Sequence, residues 1–398
     1  MADEYFFAGE SNKNALEYKL NELMVFTITP RHGDEFLDIP EFKNYKWIIE
    51  GDDGRKESGS APVNGKAPLV LTASLSRPGF VRVKVEACDG NLNPLSNVTC
   101  FLGGAGAEVE KIECDTKMPD DFDDFWENIV KELDSHGVVL EEKIPYSAEE
   151  EGFSVYKIKL KMPFGKPVWS LLSIPNGGEN LPAKVIYCGY GVYSIEPVLE
   201  KEYITLVTDV HGLEPGLSEE YYKELGREPD GELYYYGFDS IENSNPDNVY
   251  FKSVIARDLM AAKFIKTLPQ WNKKELISQG GSQGAFRATS VAAHDKDITE
   301  LNITVPWFCN LGGYKNGRMR GWSPDYVEGV CYFDTANQMT RVECPVNVSA
   351  KLGDYTCPPS SVMAAYNNCK NKKKITFYQN GTHAYDCPVE IKYEIESE

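Results

Sequence analysis

The chain has 398 residues, 61 of them acidic and 41 basic, for a formal net charge of −20 at pH 7. That balance repels phosphate backbones and excludes nucleic acid as an expected partner. No apolar run approaches the ~20 residues that cross a bilayer, and a 42% apolar content suits two domains with substantial cores.

The chain opens Met1-Ala2-Asp3-Glu4, acidic and without an apolar core, so no secretory signal is read. This suits a cytoplasmic protein, or equally a secreted or periplasmic one whose leader has been removed. From residue 16 to about 110 the texture is that of strands: Met24 to Thr29, Tyr45 to Ile49, Leu69 to Ala73 and Phe80 to Val85. In the last, Val81, Val83 and Val85 face one way and Arg82 and Lys84 the other, the pattern of a half-buried strand. Turn clusters such as Gly51-Asp52-Asp53-Gly54 and Cys88-Asp89-Gly90-Asn91 separate the strands. An all-β, immunoglobulin-like sandwich is expected over residues 1–110, with Gly103-Gly104-Ala105-Gly106-Ala107 as the hinge into a second domain. Trp47, inside a strand, suits a core, so packing or oligomer shaping is expected of this unit before carbohydrate binding. Glu149-Glu150-Glu151 and Lys372-Lys373-Lys374 are local charge runs without motif value.

From residue 117 strands alternate with helical stretches, the signature of a largely parallel sheet covered on both faces, and residues 111–398 are assigned to this second domain. The apolar strand Ala183 to Tyr187 runs into the glycine-containing turn Cys188-Gly189-Tyr190-Gly191. Residues 212–248 form a long segment rich in Tyr, Glu, Gly and Pro. Its Tyr234-Tyr235-Tyr236 either lines a pocket or, the preferred reading, staples the loop down. Arg257 to Leu268 has helical spacing, with Leu259, Ala262, Phe264 and Ile265 on the buried stripe.

Gly280-Gly281-Ser282-Gln283-Gly284 follows the short apolar strand Glu275 to Ser278 and precedes a helix-compatible run, Ala285 to Ala293. It fits the G-x-S-x-G nucleophile elbow, in which a strained strand-to-helix turn lifts a serine hydroxyl above a parallel sheet. A serine hydroxyl needs an imidazole within hydrogen-bond reach, and the imidazole needs a carboxylate to fix its tautomer. In the chain order Ser, Asp, His, His294 comes too soon after the elbow, which leaves His383 behind the strand Lys374 to Tyr378. Asp354 follows the strand Val346 to Ala350. Taken alone, Asp354 is a helix cap ahead of Ser360 and His383 a surface histidine; in this order, at three strand ends, they make a triad.

These segments resemble the acetyl xylan esterase and cephalosporin C deacetylase group, carbohydrate esterase family 7. The likeness rests on Gly281-Ser282-Gln283-Gly284, Gly353-Asp354 with Cys357-Pro358-Pro359-Ser360, and Gly381-Thr382-His383, supported by Pro119 to Trp126 and by Tyr250-Phe251-Lys252 through Ala262. It covers roughly residues 115 to 395. It implies an α/β-hydrolase that removes acetyl groups from short xylo-oligosaccharides or related small acetylated sugars, without metal or organic cofactor. It also implies an oxyanion hole formed by the backbone N–H groups of Gln283 and Tyr190, and homo-oligomeric rings whose packing the added β domain leaves open. There are three departures from the family pattern. Cys188 stands where histidine is usual, Ala285-Phe286 replaces a glycine pair, and His211 takes the place of a common arginine, bordering the pocket rather than serving in catalysis. A serine peptidase of the same fold, an esterase of non-sugar esters and a noncatalytic sugar-binding protein are the alternatives. The ten cysteines form neither CxxC pairs nor a zinc pattern and are read as buried free thiols.

Overall fold

The fold is that of a computed structural model, which describes residues 5–146, 152–229 and 231–397; the Met1–Glu4 opening and the Glu149–Glu151 run lie outside them. The first nine strands are β1 (Tyr5–Ser11), β2 (Met24–His32), β3 (Glu35–Phe36), β4 (Asn44–Gly51), β5 (Lys56–Pro62), β6 (Leu69–Ala73), β7 (Gly79–Cys88), β8 (Val98–Thr99) and β9 (Phe101–Ala107). One sheet runs β3-β2-β1-β8 with β6 beside β2, and a second runs β5-β4-β7-β9. Apolar residues at every second position of β2 and β6 give the first sheet a buried face, and Val81, Val83 and Val85 of β7 give the second sheet one. The two faces meet where Phe7 of β1 packs against Tyr45 of β4.

The remaining strands build one ten-stranded sheet. In chain order they are β10 (Val139–Pro145), β11 (Phe153–Lys161), β12 (Val168–Pro175), β13 (Leu181–Tyr187), β14 (Ile204–Thr208), β15 (Trp271–Gly281), β16 (Glu300–Thr304), β17 (Val346–Lys351), β18 (Lys373–Tyr378) and β19 (Lys392–Ser397). Their spatial order is β10-β11-β12-β14-β13-β15-β16-β17-β18-β19. The middle, β14 through β18, is parallel, and antiparallel strands flank it on both sides. The helices are α1 (Phe122–His136), α2 (Glu219–Leu225), α3 (Tyr250–Ile265), α4 (Gln283–His294), α5 (Thr335–Met339) and α6 (Pro359–Asn368). The chain therefore has a mixed α/β fold.

Three sequence expectations are corrected. The glycine run at 103–107 is no hinge but the buried strand β9, paired along β7. Its glycines are needed because neighbouring backbone is close: a Cβ on Gly104 would stand 2.1 Å from the carbonyl oxygen of Val81. Arg82 does not face solvent; it is 4% exposed, because the second side of β7 meets the loop that follows β17. The central sheet is also not covered evenly. Over β15 to β18, Gln279, Asn302, Asn347, Ser349, Lys374 and Thr376 line an open polar cleft of about 580 Å³, since amide and hydroxyl side chains offer no apolar surface for a helix to bury. Trp47 is half-buried, its indole lying across Gly59 of the neighbouring strand.

Candidate active site

Strand β15 ends at Gly281 and helix α4 begins at Gln283, so the whole reversal falls on Ser282. Its φ of 56° and ψ of −120° are left-handed values that a side-chain-bearing residue adopts only at a cost. Flanking glycines make the turn sterically possible. A Cβ on Gly280 would lie 2.3 Å from the Gly284 carbonyl, and one on Gly284 would lie 2.0 Å from the Tyr187 carbonyl oxygen. The main chain of Ser282 is tied to β16 by its N–H, which donates to Thr304 O at 2.9 Å.

The structure brings Ser282, Asp354 and His383 together from three strand ends. His383 Nε2 lies 2.9 Å from Ser282 Oγ, and His383 Nδ1 lies 2.9 Å from Asp354 Oδ2. A carboxylate accepts only, so the Nδ1 proton points at Asp354 and the Nε2 lone pair faces the serine. Asp354 is fully buried. Its second oxygen accepts from the N–H groups of Thr356 and Cys357 at 2.7 and 2.9 Å, so the turn ahead of α6 is capped by the residue that orients the histidine. The N–H of Gly353 donates to Gly381 O at 3.1 Å, joining the loop that carries Asp354 to the loop that carries His383.

Asp354, Cys357 and His383 present ligand-type atoms within 4.8 Å of one another. Burial pushes the Cys357 thiol far above its ordinary pKa, with the Asp354 charge adding to it. Both nitrogens of His383 already have partners, Asp354 and Ser282.

Gln283 and Tyr190 flank this centre. As the first residue of α4, Gln283 has a backbone N–H with no intrahelical acceptor. Among the described residues neither it nor the Tyr190 N–H donates to a backbone carbonyl. A network that sequence could not announce joins the two turns. The Tyr236 hydroxyl accepts from Gly191 N–H at 2.9 Å and donates to the Gln283 side-chain oxygen at 3.1 Å. Its ring stacks on Tyr190 with centroids 4.0 Å apart, and the Tyr190 hydroxyl donates back to Tyr236 O. His211 completes the brace: Nε2 meets Gly191 O at 2.9 Å and Nδ1 meets the Tyr250 hydroxyl at 2.6 Å. Because a carbonyl only accepts, Nε2 carries the proton and Nδ1 accepts. Burial pulls the His211 pKa down to about 4, keeping it neutral. Cys188 contributes its carbonyl, which accepts from Arg287 Nη1 at 3.2 Å.

Beside the Tyr190 turn lies a cleft of about 320 Å³, its walls including Tyr190, Tyr222, Leu233, Tyr234, Tyr235 and Trp322. The tyrosine run thus divides its labour: Tyr236 is the buried staple, while Tyr235, 52% exposed, faces the cleft. Trp322 meets Tyr190 edge-on at 4.6 Å and stacks on Trp307, whose main-chain N–H donates to Ser282 O at 3.2 Å. Phe286, one of the departures from the family pattern, is buried on α4 and stacks on Phe308 at 5.0 Å.

The family model described as acetyl xylan esterase (AXE1) matches residues 106–315 and 314–394. An acetyl esterase, Axe7A of Xylanibacter ruminicola, is 26% identical over 320 residues, covering 76% of this chain and 70% of that protein. Among solved structures, an acetyl xylan esterase from Paenibacillus sp. R4 superposes with a TM-score of 0.57 at 21% identity, over 70% of this chain and 94% of that one. Acetyl xylan esterase 1 from Thermoanaerobacterium sp. JW/SL YS485 gives 0.57 at 20% identity, over 71% and 94%. At these identities the structural likeness bears on the fold.

Proposed function

Because this chain belongs to the acetyl xylan esterase (AXE1) family and is thus a carboxylic ester hydrolase, we propose that it is a serine carbohydrate esterase releasing acetate from acetylated xylo-oligosaccharides or related small acetylated sugars. The observation that carries this reading is the continuous hydrogen-bonded line from Ser282 Oγ through His383 to Asp354. In the reading, residues 111–398 are an α/β-hydrolase domain and residues 1–110 an immunoglobulin-like sandwich joined to it.

Ser282 Oγ attacks the acetyl carbonyl while its proton passes to His383 Nε2. The resulting oxyanion is received by the N–H groups of Gln283 and Tyr190, which need no reorganisation once their turns are braced. As the C–O bond to the sugar breaks, His383 returns the proton to the departing oxygen, leaving an acetyl-serine. Water, deprotonated by the same nitrogen, then attacks that ester, and acetate leaves with Ser282 reprotonated. Asp354 stays ionised and stabilises the imidazolium in both halves. The sugar lies along the cleft beside Tyr190, where ring faces such as Tyr235 and Trp322 suit the C–H face of a pyranose. Acetate release is measured from acetylated xylo-oligosaccharides and from p-nitrophenyl acetate. The reading predicts turnover of both, reduced by roughly 10³-fold or more in Ser282→Ala. Wild-type rates in that variant would end the serine reading; turnover of the nitrophenyl ester alone would end the sugar assignment and keep the mechanism.

A further inference from the structure

Residues 5–105 lie outside the family match, yet they grip the two loops that carry Asp354 and His383. Arg82 Nη1 donates to the main-chain carbonyl of Asp354 at 3.2 Å. Its Nη2 pairs with Glu50 at 3.1 Å, and the guanidinium sits 3.4 Å from the centroid of the Tyr355 ring. On β9, Gly104 is bound twice by the Gln379 side chain, which accepts from its N–H at 2.8 Å and donates to its carbonyl at 2.9 Å. Next to it, Asn380 accepts from Leu102 N–H at 3.2 Å and donates to the carbonyl of Phe7 in β1. The approach leaves no slack: a Cβ on Gly353 would stand 2.1 Å from the carbonyl oxygen of Leu102.

We propose that the N-terminal sheets are a working part of the active site, with Arg82 as a positioning residue for Asp354 and β9, through Gln379 and Asn380, as the support of the loop leading to His383. This rests on the serine-triad reading above. Asp354 and His383 are both on loops, and a side chain on a loop keeps its place only if its main chain is fixed to something rigid. Here the rigid body is a pair of hydrogen-bonded strands, β7 and β9. Arginine suits the task because one planar fork reaches a carbonyl and a carboxylate while lying flat on a ring; lysine offers a single charged point. The sandwich thereby acquires a duty toward catalysis rather than oligomer shape alone.

The test expresses kcat per serine, counted by end-point labelling of the full chain with diethyl p-nitrophenyl phosphate, so that unfolded molecules drop out. With p-nitrophenyl acetate, Arg82→Lys lowers kcat per labelled serine about tenfold or more and changes KM less than about twofold, as a misplaced group does. Glu50→Gln leaves the guanidinium in place without its carboxylate and lowers kcat about two- to threefold. Wild-type kcat per labelled serine in both variants would overturn the proposal. Should Arg82→Lys not fold, a wild-type value in Glu50→Gln overturns it alone. A wild-type enzyme that turns over substrate but takes up no label would instead sink the serine reading on which the proposal depends.

Discussion

Tyr236 carries more of the site than its neighbours in sequence suggest. One hydroxyl, buried and saturated, holds both turns from which the proposed oxyanion donors come. Removing it while keeping the ring leaves Gly191 N–H and the Gln283 amide oxygen without their partner, a cost of about 1–3 kcal/mol for buried groups. Tyr236→Phe should therefore lower kcat roughly tenfold, since about 1.4 kcal/mol is a factor of ten, with KM little changed. A steady-state comparison on p-nitrophenyl acetate reads this, and an unchanged kcat would remove the network from the mechanism. The grouping of Ser282, Asp354 and His383 is legible in the sequence, because strain and chemistry leave marks there: glycines around Ser282, an Asp and a His placed after apolar strands. Tyr236 is not legible. A tyrosine in a long loop looks the same whether it lies on the surface or spans two turns, and only the fold brings residues 191, 236 and 283 within reach. The same holds for His211, which its position at a strand end suggested as a pocket residue and which turns out to be a neutral brace.

Helix α4 is aimed as well as started by its sequence. The elbow fixes where it begins, and Arg287 fixes how it lies. Fully buried, Arg287 makes two contacts with Asp258 of α3, Nε at 2.8 Å and Nη2 at 2.6 Å, and binds Thr208 Oγ1 at the end of β14. Burial pulls the pKa of the guanidinium down, but the Asp258 charge beside it outweighs that and pushes it up. Arg287→Met leaves the buried Asp258 without its cationic partner, with only Thr208 Oγ1 still bound to it, and removing one partner of such a pair costs about 3–5 kcal/mol. Urea unfolding should show that loss, and a midpoint close to wild type would mean that the pair is dispensable. Helical spacing predicted a helix over Arg257 to Leu268, with Leu259, Ala262, Phe264 and Ile265 buried, and the helix-compatible run Ala285 to Ala293 predicted α4. Neither could show that an arginine and an aspartate sit among the buried residues, since their partners are 29 positions apart. Likewise β9 read as a hinge because glycine is ambiguous: it marks flexible linkers and also strands that another backbone approaches closely.

At the scale of the whole molecule, the sequence foretold a β-rich first part and an alternating second part, but not that one packs into the working loops of the other. Arg82 and Lys84 alternate with valines just as a solvent-facing pair would, and the contact to Asp354 lies 272 positions away. Stability should also depend on pH in a way the folded interior dictates. Burial lowers the pKa of His211 to about 4 and of His294 to about 3, against 6.5 for a free imidazole. A depressed native pKa stabilises above the unfolded value and is lost as pH falls, because the unfolded chain takes up protons that the native one refuses. Between pH 6.5 and 4 the two histidines should together remove several kcal/mol, at roughly 1.4 kcal/mol per unit each. Urea midpoints at pH 7, 5.5 and 4.5 would show the decline, and His294→Gln should flatten it; identical slopes would refute the assignment. In the proposed mechanism Ser282 is the nucleophile, activated by His383. The most direct measurement is peptide mapping of the chain after diethyl p-nitrophenyl phosphate, alongside residual acetate release. One diethylphosphoryl group on Ser282 with activity lost in proportion, and labelling strongly slowed in His383→Ala, is the predicted result. Full activity with Ser282 blocked, or inactivation with the label on another residue, would contradict it.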